Sequence, residues 1–428
     1  MEKFVIEGGH KLAGSVRPGG SKNEALPCLA ATLLTDEKVT LHNVPRIADV
    51  EVMLEVIASV GGTYEWIGEN SVAIQTATVT TSSLDRELCR KVRASILFAG
   101  SMVGRAGDLE LPPPGGDVIG RRRLDTHFLA LEALGCEIDV LKDRFSIKVP
   151  KLVGTEIFMD EASVTATENA IMAAVLAQGR TVIRNAACEP HVQGLCRMLT
   201  DMGARIQGVG TNILTIEGTK GLWGCEHTIG PDYLEVGSLA GLAAVTGSEL
   251  RILDVVPDDL RMIRLVFEKL GVHMKFEGKD LIVPADQPLQ IANDLNNAIP
   301  KIDDAPWPAF PTDLMSIAIT VATQSAGTVL FFEKMFEGRM FFVDSLIAMG
   351  ARIVFCDPHR VVVVGPSQLY GSTLESPDVR AGMSLLIAAL CAQGESTIYN
   401  IRQIDRGYEK IDTKLNALGA KIQRLPVE

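Results

Sequence analysis

Apolar and polar positions along this chain follow a pattern that repeats. Amphipathic helical stripes ending at Val60-Gly61, Leu134-Gly135, Met202-Gly203, Leu270-Gly271, Met349-Gly350 and Leu418-Gly419 each precede a short apolar strand, at intervals of roughly 70 residues. An earlier segment recurs with them: an alanine-rich helix, a Gly or acidic turn, then a β-branched strand. ALPCLAATLLTDEKVTLHNV, AIMAAVLAQGRTVIRNA, SLAGLAAVTGSELRILDV and SLLIAALCAQGESTIYNI match closely, whereas the copy from Leu84 to Val140 fits loosely. A unit of two helices and several short strands cannot bury both faces alone, so neighbouring units must share a core. Six units make two three-unit domains, which the glycines and unequal strands suit better than one long solenoid. The division is expected near HTIGPDYLE, with residues 22–230 in one domain and 1–21 plus 231–428 in the other. The uncharged window Leu314 to Phe332 is interrupted by Gln324, Ser325 and Gly327, so it predicts a buried helix followed by a strand rather than a membrane span.

The repeat places the charged residues. First helices are predicted to begin at GSKNE, VTATE, PDYLE, FPTDL and SPDVR, and Ser21 with Glu24, Thr165 with Glu168 and Asp232 with Glu235 are spaced as capping boxes. Lys22, Arg93, Thr165, Asp313 and Arg380 then fall in or near first turns. Cations there oppose the helix dipole at a cost on the order of 0.3–1 kcal/mol each, which makes sense if an anion sits among them. One loop stands out: LPPPGGDVIGRRRLDTH, residues 111–127, hangs Asp117 after a proline and glycine run and ahead of Arg121, Arg122 and Arg123. Prolines that cannot continue a helix, beside permissive glycines, predict an exposed, mobile lid.

An apolar content of 47% with 22% charged residues is that of an ordinary soluble protein. The net charge of −12 disfavours nucleic acid or an anionic membrane as the general partner, so any anion site must be local. Eight cysteines without a CxxC pair indicate neither a zinc site nor a disulfide framework, and reduced core thiols are expected. The N-terminal MEKFVIEGGHKLAG lacks an apolar leader, which predicts a cytoplasmic location. Asp303, Asp304 and Asp313 look like a metal cluster, but Pro306, Pro308 and Pro311 separate them, and the first two are expected to be solvated. His127 reads as a packing residue, and the fourteen methionines as core.

Seven separated motifs, GSKNEALP at 20–27, RKVRASI at 90–96, PGGDVIGRRRLDTH at 114–127, FPTDL at 310–314, FEGRM at 336–340, SPDVRAG at 376–382 and IDRGYEKI at 404–411, resemble in order and spacing those of the UDP-N-acetylglucosamine 1-carboxyvinyltransferase family. The resemblance implies a two-domain inverse α/β barrel, each domain of three βαβαββ units, with the active site in the cleft between the domains. It implies transfer of the enolpyruvyl group of phosphoenolpyruvate to the 3-hydroxyl of UDP-N-acetylglucosamine with release of phosphate, the first committed step of peptidoglycan synthesis, with no metal or organic cofactor. By position in the motifs, Asp117 corresponds to the proton donor, Asp313 to the acceptor of the hydroxyl proton, and Lys22, Arg122 and Arg406 to residues that hold phosphoenolpyruvate, with Arg380 beside them. Asn23, Arg93, Asp125, Ser163, Val164, Thr165, Met335, Arg339 and Asp378 fall at substrate-binding positions, Ser163 to Thr165 at a helix N-terminus suited to diphosphate.

The chain departs from the family in places. Most members carry at the position of Asp117 a cysteine that the epoxide fosfomycin attacks; a carboxylate is a poorer nucleophile toward it, which predicts intrinsic resistance. Protonating carbon also requires an acid whose pKa lies well above the ordinary aspartate value of about 3.9, a rise that bound phosphoenolpyruvate and exclusion of water are expected to supply. Ala48 and Tyr233 each delete a cation, and Arg123 and Trp307 replace commoner residues. Competing readings are the related transferase acting on shikimate 3-phosphate, one acting on another nucleotide, and a non-catalytic sugar-nucleotide sensor. A sensor has no need of Lys22, Asp117, Arg122, Asp313, Arg380 and Arg406 together.

Overall fold

The computed structural model describes residues 2–116, 119–120 and 122–427, which divide into two compact units: 20–116 with 122–230, and 2–19 with 119–120 and 231–427. The repeat is clearest in the strand Glu156–Phe158, the helix Val164–Ala174, the strand Arg180–Arg184, the helix Pro190–Asp201, and the strands Arg205–Gln207 and Ile213–Glu217. Its four strands form one sheet in which Glu156–Phe158 runs parallel to Arg180–Arg184 and the other pairs are antiparallel. Four further sheets have the same pattern. The sixth, of Asp108–Leu111, Phe145–Lys148 and Glu137–Val140, has three strands, its parallel partner reduced to a single bridge between Ser83 and Glu110. That reduction is why the second repeat is loose in sequence.

The alanine-rich helices are buried all round. Ala166 to Ala174 in one unit, and Met315 to Thr323 and Val379 to Leu390 in the other, are all buried. A helix apolar on every side must be enclosed, so these helices sit at the centre of their unit. Helices such as Arg261–Lys269 bury one stripe, Ile263, Val266 and Phe267, and lie outside. Each unit has its own apolar core. With helices inside and sheets outside, each is an inverse α/β barrel. The window 314–332 forms the helix Met315–Gln324 and the strand Gly327–Phe332, and no helix among the described residues is long and apolar enough to cross a membrane.

Local chemistry explains the repeat. All six glycines that end the outer helices, Gly61, Gly135, Gly203, Gly271, Gly350 and Gly419, have φ between 81° and 109°, the left-handed region open to glycine. A second mark follows the inner strands: Asn43, Asn185, Asp254 and Asn400 have φ of 51–57°, where short polar side chains are tolerated. Asn43, Asn185 and Asn400 donate through Nδ2 to the carbonyls of Ile229, Met159 and Ser376, each just beyond the neighbouring parallel strand.

None of the three expected capping boxes forms in full. Ser21 makes no side-chain cap, and Glu24 instead bonds His227 at 3.0 Å and Gly230 N at 3.2 Å. Thr165 lies inside a helix whose cap position is Ser163, and Glu168 is buried, its acid pushed well up by burial and by Glu189. Asp232 does cap, accepting from Leu234 N and Glu235 N, while Glu235 bonds Gly19 N and Lys414 rather than returning to the cap. Spacing suggests a box, but buried partners from far along the chain outcompete it.

Candidate active site

In the unit holding residues 231–427, a short 3-10 turn, Thr312–Leu314, presents Asp313 at the start of an inner helix. Arg339 Nη2 donates to Asp313 Oδ1, and Arg380 Nε to Oδ2 at 3.2 Å. Both arginine side chains are almost wholly covered, whereas Asp313 keeps 24% of its side-chain surface open, so solutes can reach the carboxylate but hardly the cations behind it. Arg380 is held by its helix: Asp378 caps Val379–Cys391 by accepting from Arg380 N at 2.8 Å and Ala381 N at 3.0 Å. Burial disfavours charge on Arg380, but Tyr408, Asp313 and Asp232 outweigh it and raise its pKa further. Arg339 Nε and Arg380 Nη1 are buried donors with no hydrogen-bond partner among the described residues. Arg406 is half-buried and donates to Gln403 at 3.0 Å; Met335 is half-buried, its N–H bonded to Glu333.

In the other unit Lys22 opens an inner helix and meets Asp49 at 2.6 Å, both side chains largely covered. The helix-start misfit at Lys22 is therefore relieved by protein, at a residue that spacing did not single out. Asn23 follows it, half-buried. Arg93 begins the turn Arg93–Leu97 and donates to the carbonyls of Arg122 at 2.8 Å and Arg123 at 3.4 Å. Burial and then Arg122 pull its pKa down to about 10. Two cations are thus held close together, which an anion would relieve. Asp125, exposed at the start of Asp125–Ala133, accepts from Arg123 at 3.1 Å. Ser163 stands at the cap position of Val164–Ala174 without a side-chain cap bond, and Val164 and Thr165 lie in its first turn, all three half-buried.

His127 organises that turn. It is buried, its pKa lowered to about 3 by burial and then by Arg93 and Arg122. Asn169 accepts from Gly100 N through Oδ1, so its Nδ2 donates, to Ile96 O and to His127 Nδ1 at 2.8 Å. The remaining ring proton therefore lies on Nε2, 3.1 Å from Thr165 Oγ1, and leaves the Thr165 hydroxyl free to donate onward.

Several expectations need correction. The described part of the loop does not hang free: Gly115 N donates to Cys89 O at 3.0 Å, and a Cβ on Gly115 would lie 1.7 Å from Arg90 O. The glycines there permit close packing. Asp117, Val118 and Arg121 lie outside the described residues, so the proposed donor has no geometry here. Asp304 is fully buried rather than solvated, accepting from Lys334 N, while Asp303 pairs with Lys301 and Lys334. The thiols are mostly buried, but Cys356 is exposed. Glu24, Cys28 and His227 offer ligand atoms within 4.8 Å of one another, a cluster the spacing did not suggest; its carboxylate is already bonded to His227 and Gly230, and burial pushes the Cys28 thiol well up. Two departures from the family meet, Tyr233 packing edge-on against Trp307 with centroids 5.7 Å apart.

This architecture is that of the enolpyruvyl transferases. The enolpyruvyl transferase NikO from Streptomyces tendae matches with a TM-score of 0.89 at 22% identity, over 100% of this chain and 99% of that one. An EPSP synthase from Acinetobacter baumannii matches with a TM-score of 0.76 at 17% identity, over 100% of both chains. These likenesses establish the fold. Residues 6–415 match the family model for EPSP synthase (3-phosphoshikimate 1-carboxyvinyltransferase). UDP-N-acetylglucosamine 1-carboxyvinyltransferases from Bradyrhizobium diazoefficiens and Treponema denticola are 57% and 58% identical, covering 99% of this chain and 98% and 99% of theirs. The chain belongs to the UDP-N-acetylglucosamine 1-carboxyvinyltransferase family.

Proposed function

We propose that this protein transfers the enolpyruvyl group of phosphoenolpyruvate to the 3-hydroxyl of UDP-N-acetylglucosamine and releases phosphate, at the entry to peptidoglycan synthesis and in the cytoplasm. The observation that carries the reading is the Asp313 carboxylate between Arg339 and Arg380, with buried N–H groups on both arginines left over. A carboxylate can take the proton of an attacking hydroxyl, and the positive charge of the two covered arginines suits an anionic substrate and intermediate through the field rather than by direct contact. The hydroxyl oxygen bonds to the central enol carbon while a proton goes to its methylene; loss of that methylene proton with departure of phosphate then restores the double bond. Asp117 is the proposed donor to the methylene. Lys22, Arg122 and Arg406 are the proposed phosphoenolpyruvate ligands, and Ser163 to Thr165 the proposed diphosphate site. The reading requires both units to act on the same substrates. An aspartate at 117 also makes the enzyme insensitive to fosfomycin.

Acceptor-dependent phosphate release tests this. UDP-N-acetylglucosamine is expected to support turnover with phosphoenolpyruvate, shikimate 3-phosphate is not, and Asp313→Asn and Asp117→Ala each lower kcat by about 10²–10⁴. Turnover with shikimate 3-phosphate alone, or unchanged rates in both variants, rejects the assignment.

A further inference from the structure

Two acids that the reaction scheme leaves unused lie side by side behind Asp313. The strand Lys301–Asp303 runs parallel to Gly327–Phe332 with Asp303 opposite Phe332, so the next residues on the two strands, Asp304 and Glu333, are brought together. Both are fully buried. Asp304 Oδ1 accepts from Lys334 N at 2.6 Å, while Oδ2 is buried with no donor among the described residues. Glu333 Oε1 accepts from Met335 N at 3.1 Å and Phe336 N at 3.0 Å, and the Thr312 hydroxyl lies 3.0 and 2.9 Å from its two oxygens. One carboxyl group therefore ties the turn that carries Asp313 to the segment that carries Met335 and Arg339.

We propose that Asp304 and Glu333 are positioning residues that share a single proton, and that this acid–carboxylate pair holds Asp313, Met335 and Arg339 in their working arrangement. Two fully buried carboxyl groups at adjacent strand positions resist ionising together, and one proton between them satisfies the otherwise orphaned Oδ2. The surroundings agree. Burial, then the hydrogen bond that the protonated acid donates to Asp304 and the charge of Asp304, push the Glu333 acid up to about 8, with Arg339 and Thr312 opposing. The other charged neighbours are engaged elsewhere: Lys334 Nζ with Asp303 at 2.5 Å, Arg339 with Asp313, and the His359 ring with the Glu333 carbonyl at 2.7 Å.

The role assigned to the pair rests on the transferase reading; the shared proton does not. Asp304→Asn and Glu333→Gln each replace that proton with an amide hydrogen in the same gap, while Glu333→Ala removes the tie. Infrared spectra of the wild type at pH 7 are expected to contain, beside the band of the buried Glu168 acid, a protonated-carboxyl component that Asp304→Asn removes; identical wild-type and Asp304→Asn spectra overturn the proposal whatever the enzyme's substrate. In the transfer assay, Glu333→Ala is expected to lower kcat about a hundredfold through misplacement of Asp313 while remaining folded by circular dichroism. Glu333→Gln restores the rate, and Asp304→Asn stays active above pH 8, where the wild type declines. A Glu333→Ala enzyme as fast as wild type, or an Asp304→Asn enzyme with the wild-type alkaline decline, also overturns it.

Discussion

His127 is a histidine kept neutral inside a ring of donors and acceptors. Its folded pKa lies near 3 against an ordinary 6.5, so its contribution to stability is complete above pH 6.5 and is lost as pH falls toward 3. Its ring is expected to show no protonation by NMR at pH 5, and His127→Gln, which cannot titrate, should flatten the fall in stability across that window. A ring that titrates near 6.5 contradicts the account. Position 117 is the other residue whose chemistry can be tested alone. Asp117→Cys is expected to gain covalent inactivation by fosfomycin, read as a mass increase at that residue, while the wild type stays unlabelled. The limb of the pH–rate profile that reports the proton donor should also sit at lower pH in the wild type than in the cysteine variant; identical profiles count against a carboxylic acid donor. Both residues were singled out in the sequence. Only the structure links His127 to Asn169 and Thr165.

At the level of elements, the left-handed glycines carry a measurable cost. Gly203 and Gly394 have φ of 102° and 90°, but a Cβ at 203 would lie 2.4 Å from Trp223 Nε1, whereas at 394 it meets open space. Gly394→Ala is expected to destabilise by about 1–2 kcal/mol from the backbone alone, and Gly203→Ala by more, as read from urea unfolding. Equal costs would mean that the Trp223 contact is relieved without penalty. The outer-helix glycines were legible because their conformation is a local property of a single residue. The capping boxes were misread because a cap can be displaced by a partner such as His227, which lies far from Glu24 in sequence.

Across the whole molecule, each unit holds clustered cations, Arg93 with Arg122 in one and Arg339 with Arg380 in the other, against a net charge of −12, which argues for anion binding at specific places rather than general attraction. A ligand that binds only the folded protein stabilises it by about 2.7 kcal/mol at a hundred times its Kd. UDP-N-acetylglucosamine is therefore expected to raise Tm in a concentration-dependent way, and shikimate 3-phosphate to leave it unchanged. The opposite pattern would reassign the acceptor.

The sequence by itself determined the six-fold repeat, its alanine-rich and amphipathic helices, the location of the weak second copy and the family, since periodicity, glycine conformation and motif order are written in residues near one another. The tertiary structure decided which charges meet. Lys22 with Asp49, Tyr233 with Trp307, His127 with Asn169, and Asp304 with Glu333 are pairs separated by tens of residues, brought together by sheet register and helix packing. Asp303-Asp304 looked like a solvated turn because a hydrophilic dipeptide carries no mark of burial; the parallel pairing that encloses Asp304 depends on a strand many residues further along the chain.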